Sequence, residues 1–142
     1  MRVELIPQSK KDRVIGSFSE REWKRFDRQL GYKWNAKRYT FCAYDGKKVV
    51  GCAEVGMNGG AAYLRRIIVA ESQRGRGIGR LLLDKFERFA KAKKCHVAYL
   101  DTSEVHKEAL KFYRRNGYRV IARLKDNKFH LDWYSLAKRL RD

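Results

Sequence analysis

"RRIIVAESQRGRGIGRLLLDKFERF", residues 65–89, passes from an apolar, strand-like run through three glycines and three arginines into an amphipathic helical pattern. Spacing excludes two phosphate-binding schemes. No G-x-x-x-x-G-K-[ST] run exists, and a dinucleotide G-x-G-x-x-G run begun at Gly75 or Gly77 meets Arg80 or Leu82 at its third glycine position. What remains is Arg74-Gly75-Arg76-Gly77-Ile78-Gly79, read as R-x-x-G-x-G, between a strand and a helix N-terminus. Glycines there let a ligand approach backbone N–H groups. The first helical turn leaves several such donors unpaired, and its dipole favours negative charge. Arg74, Arg76 and Arg80 add charge-assisted donors. The pattern suits a pyrophosphate; a tight glycine turn with solvated arginines is the alternative.

Working outward, Ala61 to Val69 reads as the strand before this loop, and Leu81, Leu82, Phe86, Phe89 and Ala90 mark the apolar face of the helix after it. Asp84–Arg88 and Glu87–Lys91 are expected as exposed i, i+4 pairs. Upstream, Tyr39–Tyr44 and Lys48–Val55 are strands joined at Asp45-Gly46, a strong hairpin signal, and Gly56 to Gly60 reads as a flexible connection. Met1 to Ile6 alternates weakly and predicts a first strand ended by Pro7. Ser9 to Ile15 predicts a short helix. A second follows from Ser19, with Glu22 completing a capping box, Phe18 and Trp23 at staple spacing, and Gly31 as its stop.

Downstream, His96 to Thr102 is a buried-strand pattern, and Thr102 or Ser103 is expected to cap a helix from Glu104 to about Asn116, closed by Gly117. Tyr118–Leu124 and Phe129–Leu136 form a last hairpin across Lys125 to Lys128. The order β-α-ββ-β-α-β-α-ββ specifies an α/β (α+β) fold: a mixed, mostly antiparallel sheet flanked by helices.

The chain has 142 residues and one proline, so one compact domain over residues 1–142 is expected. The longest uncharged stretch, near Val55 to Leu64, is about half the ~20 apolar residues of a membrane-spanning helix. The opening "MRVELIPQSKK" lacks the apolar core of a secretory signal, which points to a cytoplasmic protein. Cys42, Cys52 and Cys95 match neither a disulfide framework nor a metal knuckle and are expected as buried free thiols in strand-like surroundings. His96, His106 and His130 have no ligand-like spacing, so no metal is expected.

The formal net charge of +18 is uneven: residues 1–60 carry 13 Lys and Arg against 7 Asp and Glu, and residues 61–142 carry 21 against 9. Such an excess favours anionic partners, whether nucleic acid or a phosphate-rich cofactor. A solvated, thermophile-like surface is the bland reading.

About 30 residues beyond the glycines stands "TSEVHKEALKFYRRNGYRV", with Ala109, Phe112, Tyr113, Gly117 and Tyr118 in the register A-x-x-F-Y-x-x-x-G-[FY]. Together with R-x-x-G-x-G at Arg74 to Gly79, this pattern resembles the GNAT superfamily of N-acetyltransferases. The resemblance is strong from Ala61 to Tyr118, reasonable for residues 39–55 and weak before residue 38.

The resemblance implies acetyl-CoA as donor, its pyrophosphate on the backbone of Arg74, Gly75, Arg76, Gly77, Ile78, Gly79 and Arg80. It implies a pantetheine arm along Ile67, Ile68 and Val69, where that strand splays from the one at residues 96–102. Main-chain donors there would also polarise the thioester carbonyl. Tyr113 matches the family's general acid, which protonates the leaving thiolate; a core tyrosine is the competing reading. His106 stands where the family often has an asparagine facing the cofactor, with Ala109 between it and Tyr113. A relative's glutamate base has no counterpart in "YLRRIIVA". Glu54 and Asp101 are candidates, and a base acting through water, or none, stays open.

The resemblance implies an amine acceptor; the charge is compatible with a polypeptide N-terminus, a lysine or a small anionic amine and disfavours strongly cationic acceptors. Tyr32, Trp34, Trp133 and Tyr134 are candidate wall residues. Two alternatives stay open: a basic nucleic-acid-binding domain, for which Arg88, Lys91, Lys93 and Lys94 cluster at one helix end, and a non-catalytic CoA-binding relative. A homodimer through the last strands is also open.

Overall fold

The structure, a computed structural model, describes residues 1–141. Its contacts divide into two units, Met1–Trp34 and the chain from Asn35 onward.

In the first unit the expected strand at Met1 to Ile6 is absent. Alternation specifies a strand only where a ladder partner satisfies the backbone, and these residues join no ladder. Pro7 leads a 3-10 turn, Gln8–Lys10, that runs directly into α1, Lys11–Leu30. One helix therefore replaces the two expected. Ile15, Phe18, Trp23, Phe26 and Leu30 continue a single 3.6-residue stripe through Ser19, so extending one helix spares the cost of nucleating a second. Ser19 is helical and cannot cap, because a capping residue must leave helical geometry. The expected stop holds: Gly31 adopts φ 72°, the left-handed conformation that ends a helix.

The second unit is a six-stranded sheet in the order β1-β2-β3-β4-β6-β5. Strands β1 (Lys37–Asp45) and β2 (Lys48–Asn58) form the expected hairpin, and β3 (Ala61–Val69) pairs antiparallel with β2. Helix α2 (Ile78–Ala92) crosses over to β4 (Val97–Ser103), the one strand parallel to its neighbour β3. Helix α3 (Lys107–Arg115), β5 (Arg119–Leu124) and β6 (Trp133–Arg139) follow, with β6 antiparallel to both β4 and β5. The sheet is thus mixed and mostly antiparallel, as the element order requires.

Gly56 to Asn58 belong to β2 rather than to a flexible connection, and the turn is confined to Gly59 and Gly60, both at positive φ. Asn35 braces it: its amide N–H donates to Asn58 Oδ1 at 2.9 Å, and its own Oδ1 accepts from Gly59 N–H at 2.9 Å.

The core lies between the sheet and α2. Leu82, Leu83, Phe86 and Ala90 pack with Ala53 and Val55 of β2, Leu64 of β3, Leu100 of β4 and Leu136 of β6, all buried. Burying each large apolar side chain contributes about 1.5–3 kcal/mol. Leu81, expected on this face, is exposed and Leu83 takes its place. Glu87 is also buried rather than paired with Lys91, because it stands one turn from Leu83 on the same stripe. Its charge is met by Lys138 Nζ at 2.8 Å, which also donates to the Asn116 carbonyl at 2.8 Å. Arg88, in turn, donates to the Asp84 backbone carbonyl instead of pairing with its carboxylate.

Three further expectations are corrected. Helix α3 starts at Lys107 with no side-chain cap, because Ser103 still pairs with Trp133 in the β4–β6 ladder and Glu104 N–H donates to the Asp132 carbonyl. Strand β6 begins at Trp133 and not at Phe129. Phe129 and His130 adopt positive φ, and Asp132 spends its carboxylate on Arg123 and on Asp126 N–H, so the chain turns for longer before pairing. Of the cysteines only Cys95 is buried, in the turn before β4; Cys42 is exposed and lies opposite half-buried Cys52 in the β1–β2 ladder. All three are free.

Candidate active site

Strands β3 and β4 begin with one pattern, Ala62-Tyr63-Leu64-Arg65 against Ala98-Tyr99-Leu100-Asp101. Their ladder sets Ala61, Ala62 and Tyr63 opposite Val97, Ala98 and Tyr99, and then it stops. On the other side of β3, Leu64 pairs with Val55 and Arg66 with Glu54, leaving Arg65 as an extra residue. A bulge of this kind bends its strand. It also resets the alternation, so that Ile67 and Val69 return to the core face on which Leu64 sits. From Leu64 to Val69, the edge of β3 that faces β4 has no ladder partner.

The parted strands bound a cleft of about 230 Å³, lined by residues 64–67 of β3, Leu100, Asp101 and Thr102 of β4, and His106, Ala109 and Tyr113. Of the expected cofactor-strand residues, Ile67 lines this cleft. Val69 packs on the core, and Ile68 is exposed on the opposite face. His106 precedes α3 as its N-cap instead of lying within it, yet it shares the cleft with Ala109 and Tyr113. Tyr113 is 7% exposed, and burial pushes its phenol up to about 12. Such a hydroxyl stays protonated across the physiological range, as a proton donor must.

The glycine loop leads from the end of β3 into α2. Gly75 and Gly77 adopt φ 78° and 80°, a conformation that side chains rarely take, and a Cβ on either would meet only open space. Gly79 is helical and ordinary in conformation; a Cβ there would touch Phe112 at 3.7 Å. No described residue accepts a hydrogen bond from the N–H groups of Gly75 through Arg80. Leu81, whose N–H meets the Gly77 carbonyl at 3.1 Å, is the first satisfied donor of the helix. These six donors, the α2 dipole and the nearby guanidinium groups together fit a pyrophosphate. Arg74 clasps the loop to β3 by donating to the Val69 carbonyl at 3.2 Å, Arg76 donates to Gln73, and Arg80 lies 3.9 Å from Asp84.

Glu54 lines neither this cleft nor the one described next. It is half exposed, 3.7 Å from the Arg66 guanidinium. Asp101 is better placed. Its carboxylate borders the parted strands and accepts hydrogen bonds from Tyr63 Oη at 3.1 Å and from the Ser135 hydroxyl. Burial first, and the Asp101 charge second, raise the Tyr63 phenol above its ordinary value.

A second cleft, about 460 Å³, adjoins the first. Ala36, Lys37 and Arg38 of β1 and its approach line it, with Gly56, Met57 and Asn58 of β2, Ala61, Tyr63 and Arg65 of β3, and Tyr99 of β4. Tyr63 and Tyr99 stack with centroids 4.7 Å apart. Arg65 lines both clefts, and the Tyr63–Asp101 hydrogen bond links them. Trp133 and Tyr134 line neither: Trp133 donates to the Lys128 carbonyl and Tyr134 lies beneath Arg123. Tyr32 and Trp34 meet edge to face in the first unit.

Sequence reasoning overlooked Tyr63, Tyr99, Arg65 and Ser135 as site residues. The repeated Ala-Tyr-Leu before Arg65 and Asp101 was the available signal, since equal spacing in two parallel strands sets equal residues side by side. Among the described residues no cluster of His, Cys, Asp and Glu could hold a metal ion, and no helix is long and apolar enough to cross a membrane.

The sequence model of the acetyltransferase (GNAT) family matches residues 10–118. An uncharacterized N-acetyltransferase of Bacillus subtilis, YjcF, is 33% identical over 79 residues, which are 56% of this chain and 54% of that protein, so the match spans about half the relative's length. An acetyltransferase structure from Bacillus cereus superposes with TM-score 0.78 at 20% identity, covering 98% of this chain and 97% of that one. An aminoglycoside 6'-N-acetyltransferase solved with coenzyme A gives TM-score 0.66 at 18% identity, covering 74% of each chain. At these identities the structural likeness shows the fold.

Proposed function

The chain belongs to the acetyltransferase (GNAT) family, and from that premise we propose that it transfers an acetyl group from acetyl-CoA to a primary amine, in a ternary complex at the opening between β3 and β4. One observation carries the reading: unpaired N–H donors from Gly75 to Arg80 stand at the end of the same strand that lines the cleft of Tyr113. The loop would hold the pyrophosphate, and the unpaired edge at Ile67 to Val69 would take the pantetheine by main-chain hydrogen bonds. His106 and Ala109 flank the arm.

Acetyl-CoA supplies the acetyl group as a thioester, activated for attack by nitrogen. An acceptor amine is mostly an ammonium at neutral pH, so a base must remove one proton before its lone pair is free. Asp101 suits this step better than Glu54, because it borders both the cleft and, through Tyr63, the adjoining one. Tyr113 Oη gives its proton to the departing sulfur as the carbon–sulfur bond breaks, and regains one released by the nitrogen as the amide forms. The products are the N-acetyl amide, free CoA thiol and the proton left on Asp101, which passes to water. General acid help of this kind contributes roughly 10²–10⁴ in rate.

Calorimetric titration with acetyl-CoA at near-physiological salt, beside a Gly77→Glu control, tests the reading. Saturable one-site binding that the control loses supports it. No binding, or equal binding by the control, means that the arginines attract anions without a formed site; nucleic-acid binding then becomes the reading to test.

A further inference from the structure

Arg65 and Asp101 occupy equivalent positions in two parallel strands, each two residues beyond the last paired tyrosine. Had the ladder continued they would face each other as an ordinary ion pair. They form none: the strands part, and no oxygen of Asp101 lies within the 4.0 Å of an ion pair with Arg65. Asp101 is held by two neutral hydroxyls, of Tyr63 and Ser135, which orient the carboxylate and leave its charge uncompensated. Arg65 has no acceptor among the described residues, and neither have Lys37 and Arg38 in the adjoining cleft. The next cation along β3 does find a partner: Arg66 meets Glu54. The cleft of about 460 Å³ is lined by three cations and no carboxylate, on a floor of stacked Tyr63 and Tyr99. That volume is at the small-ligand end of ordinary binding clefts, at roughly 300–1,000 Å³.

Two opposite charges held apart across a gap match a ligand that carries both, on the two sides of one carbon atom. We propose that the acceptor is a free amino acid, acetylated on its α-amino nitrogen. Its carboxylate lies on the Arg65 guanidinium, and its ammonium lies against Asp101, which takes the proton that frees the lone pair. Lys37 and Arg38 line the far wall, where they favour neutral or acidic side chains over basic ones. Tyr63 is a positioning residue: its hydroxyl fixes the Asp101 carboxylate, and its ring, against Tyr99, forms the floor. The inference rests on the reading of the chain as an acetyl-CoA-dependent transferase and names that reaction's second substrate.

The test measures release of CoA thiol from acetyl-CoA with the standard L-amino acids, each beside its α-amide, and with spermidine. Donor binding is followed separately by calorimetry. At least one amino acid should turn over with kcat/KM roughly 100-fold above its amide, since a guanidinium site discriminates strongly against a ligand that lacks the anion. Arg65→Ala should collapse that ratio to within a few-fold of one, and Arg65→Lys should restore part of it. Asp101→Asn should lower kcat while donor binding is kept. Equal turnover of amides and acids, or turnover of spermidine alone, would overturn the amino-acid assignment and leave the transferase reading intact. So would donor binding with no amino acid accepted, or loss of donor binding in Arg65→Ala. Failure of the wild-type chain to bind acetyl-CoA would sink the transferase reading itself.

Discussion

Strands β3 and β4 are neighbours twice over, and their two halves differ in what their side chains do. In the first half Ala61, Ala62 and Tyr63 pair with Val97, Ala98 and Tyr99, backbone to backbone, with Ala62 and Ala98 fully buried. In the second half the ladder is gone, and Arg65, Asp101, Thr102, His106 and Tyr113 surround the gap. Where backbone groups satisfy one another, small apolar residues suffice to close the sheet. Where they part, main-chain groups are left unpaired and ionisable side chains line the opening. On the proposed reading, stability belongs to the first half and chemistry to the second.

The largest effect should come from attacking the parted end. Gly77→Glu forces a side chain into φ 80° and sets a carboxylate among the loop donors, so acetyl-CoA affinity should fall by about 100-fold or more in calorimetry. An unchanged affinity would detach the loop from the donor site. Tyr113→Phe should keep that affinity while kcat drops about 100-fold; undiminished turnover would return Tyr113 to the core as a packing residue.

Alkaline titration probes the same residue through folding. Burial holds the Tyr113 phenol at about 12 in the folded chain, against about 10 in an unfolded one. Between these values the unfolded chain has released the proton that the native one keeps, so stability falls as pH rises. Tyr113 alone should account for about 2 kcal/mol lost between pH 10 and 12, read from denaturant midpoints. Tyr118, also raised by burial and by Glu87, shifts the loss the same way. Flat stability over this range would mean that Tyr113 is solvated.

The paired half should respond in the opposite manner. Ala98→Val overfills a fully buried site and should cost about 1–3 kcal/mol in unfolding free energy, with kcat/KM of the folded fraction kept. A loss of turnover at full stability would erase the division between the halves. Smallest of all, Glu54→Gln removes a half-exposed partner of Arg66 and should change turnover by about twofold at most. A 100-fold drop would instead make Glu54 the base.

Much of this was legible from residues alone, wherever the signal is local. The Asp45-Gly46 hairpin, the β3–loop–α2 passage and the stop at Gly31 each follow from chain geometry within a few residues. Misreadings came where a distant residue decides. Ser103 looks like a cap until the β4–β6 ladder claims it, and Glu87 looks solvated until Lys138, 51 positions away, neutralises it in the core. Ser19 shows a different failure: a valid capping box is overridden by the lower cost of extending a helix already formed.

By itself the sequence determined the order of elements, the positions that must be glycine for a loop at positive φ, and the family to which Arg74–Gly79 and Ala109–Tyr118 point, because these depend on short-range sterics and periodicity. Only the tertiary structure decided that Arg65 is the bulged residue, that β3 and β4 part beyond Tyr63 and Tyr99, and that Arg65 and Asp101 end as unpaired opposites. Register is a property of two strands at once. A chain read one residue at a time carries each side chain's charge, and pairing across space settles which charges are left without a partner.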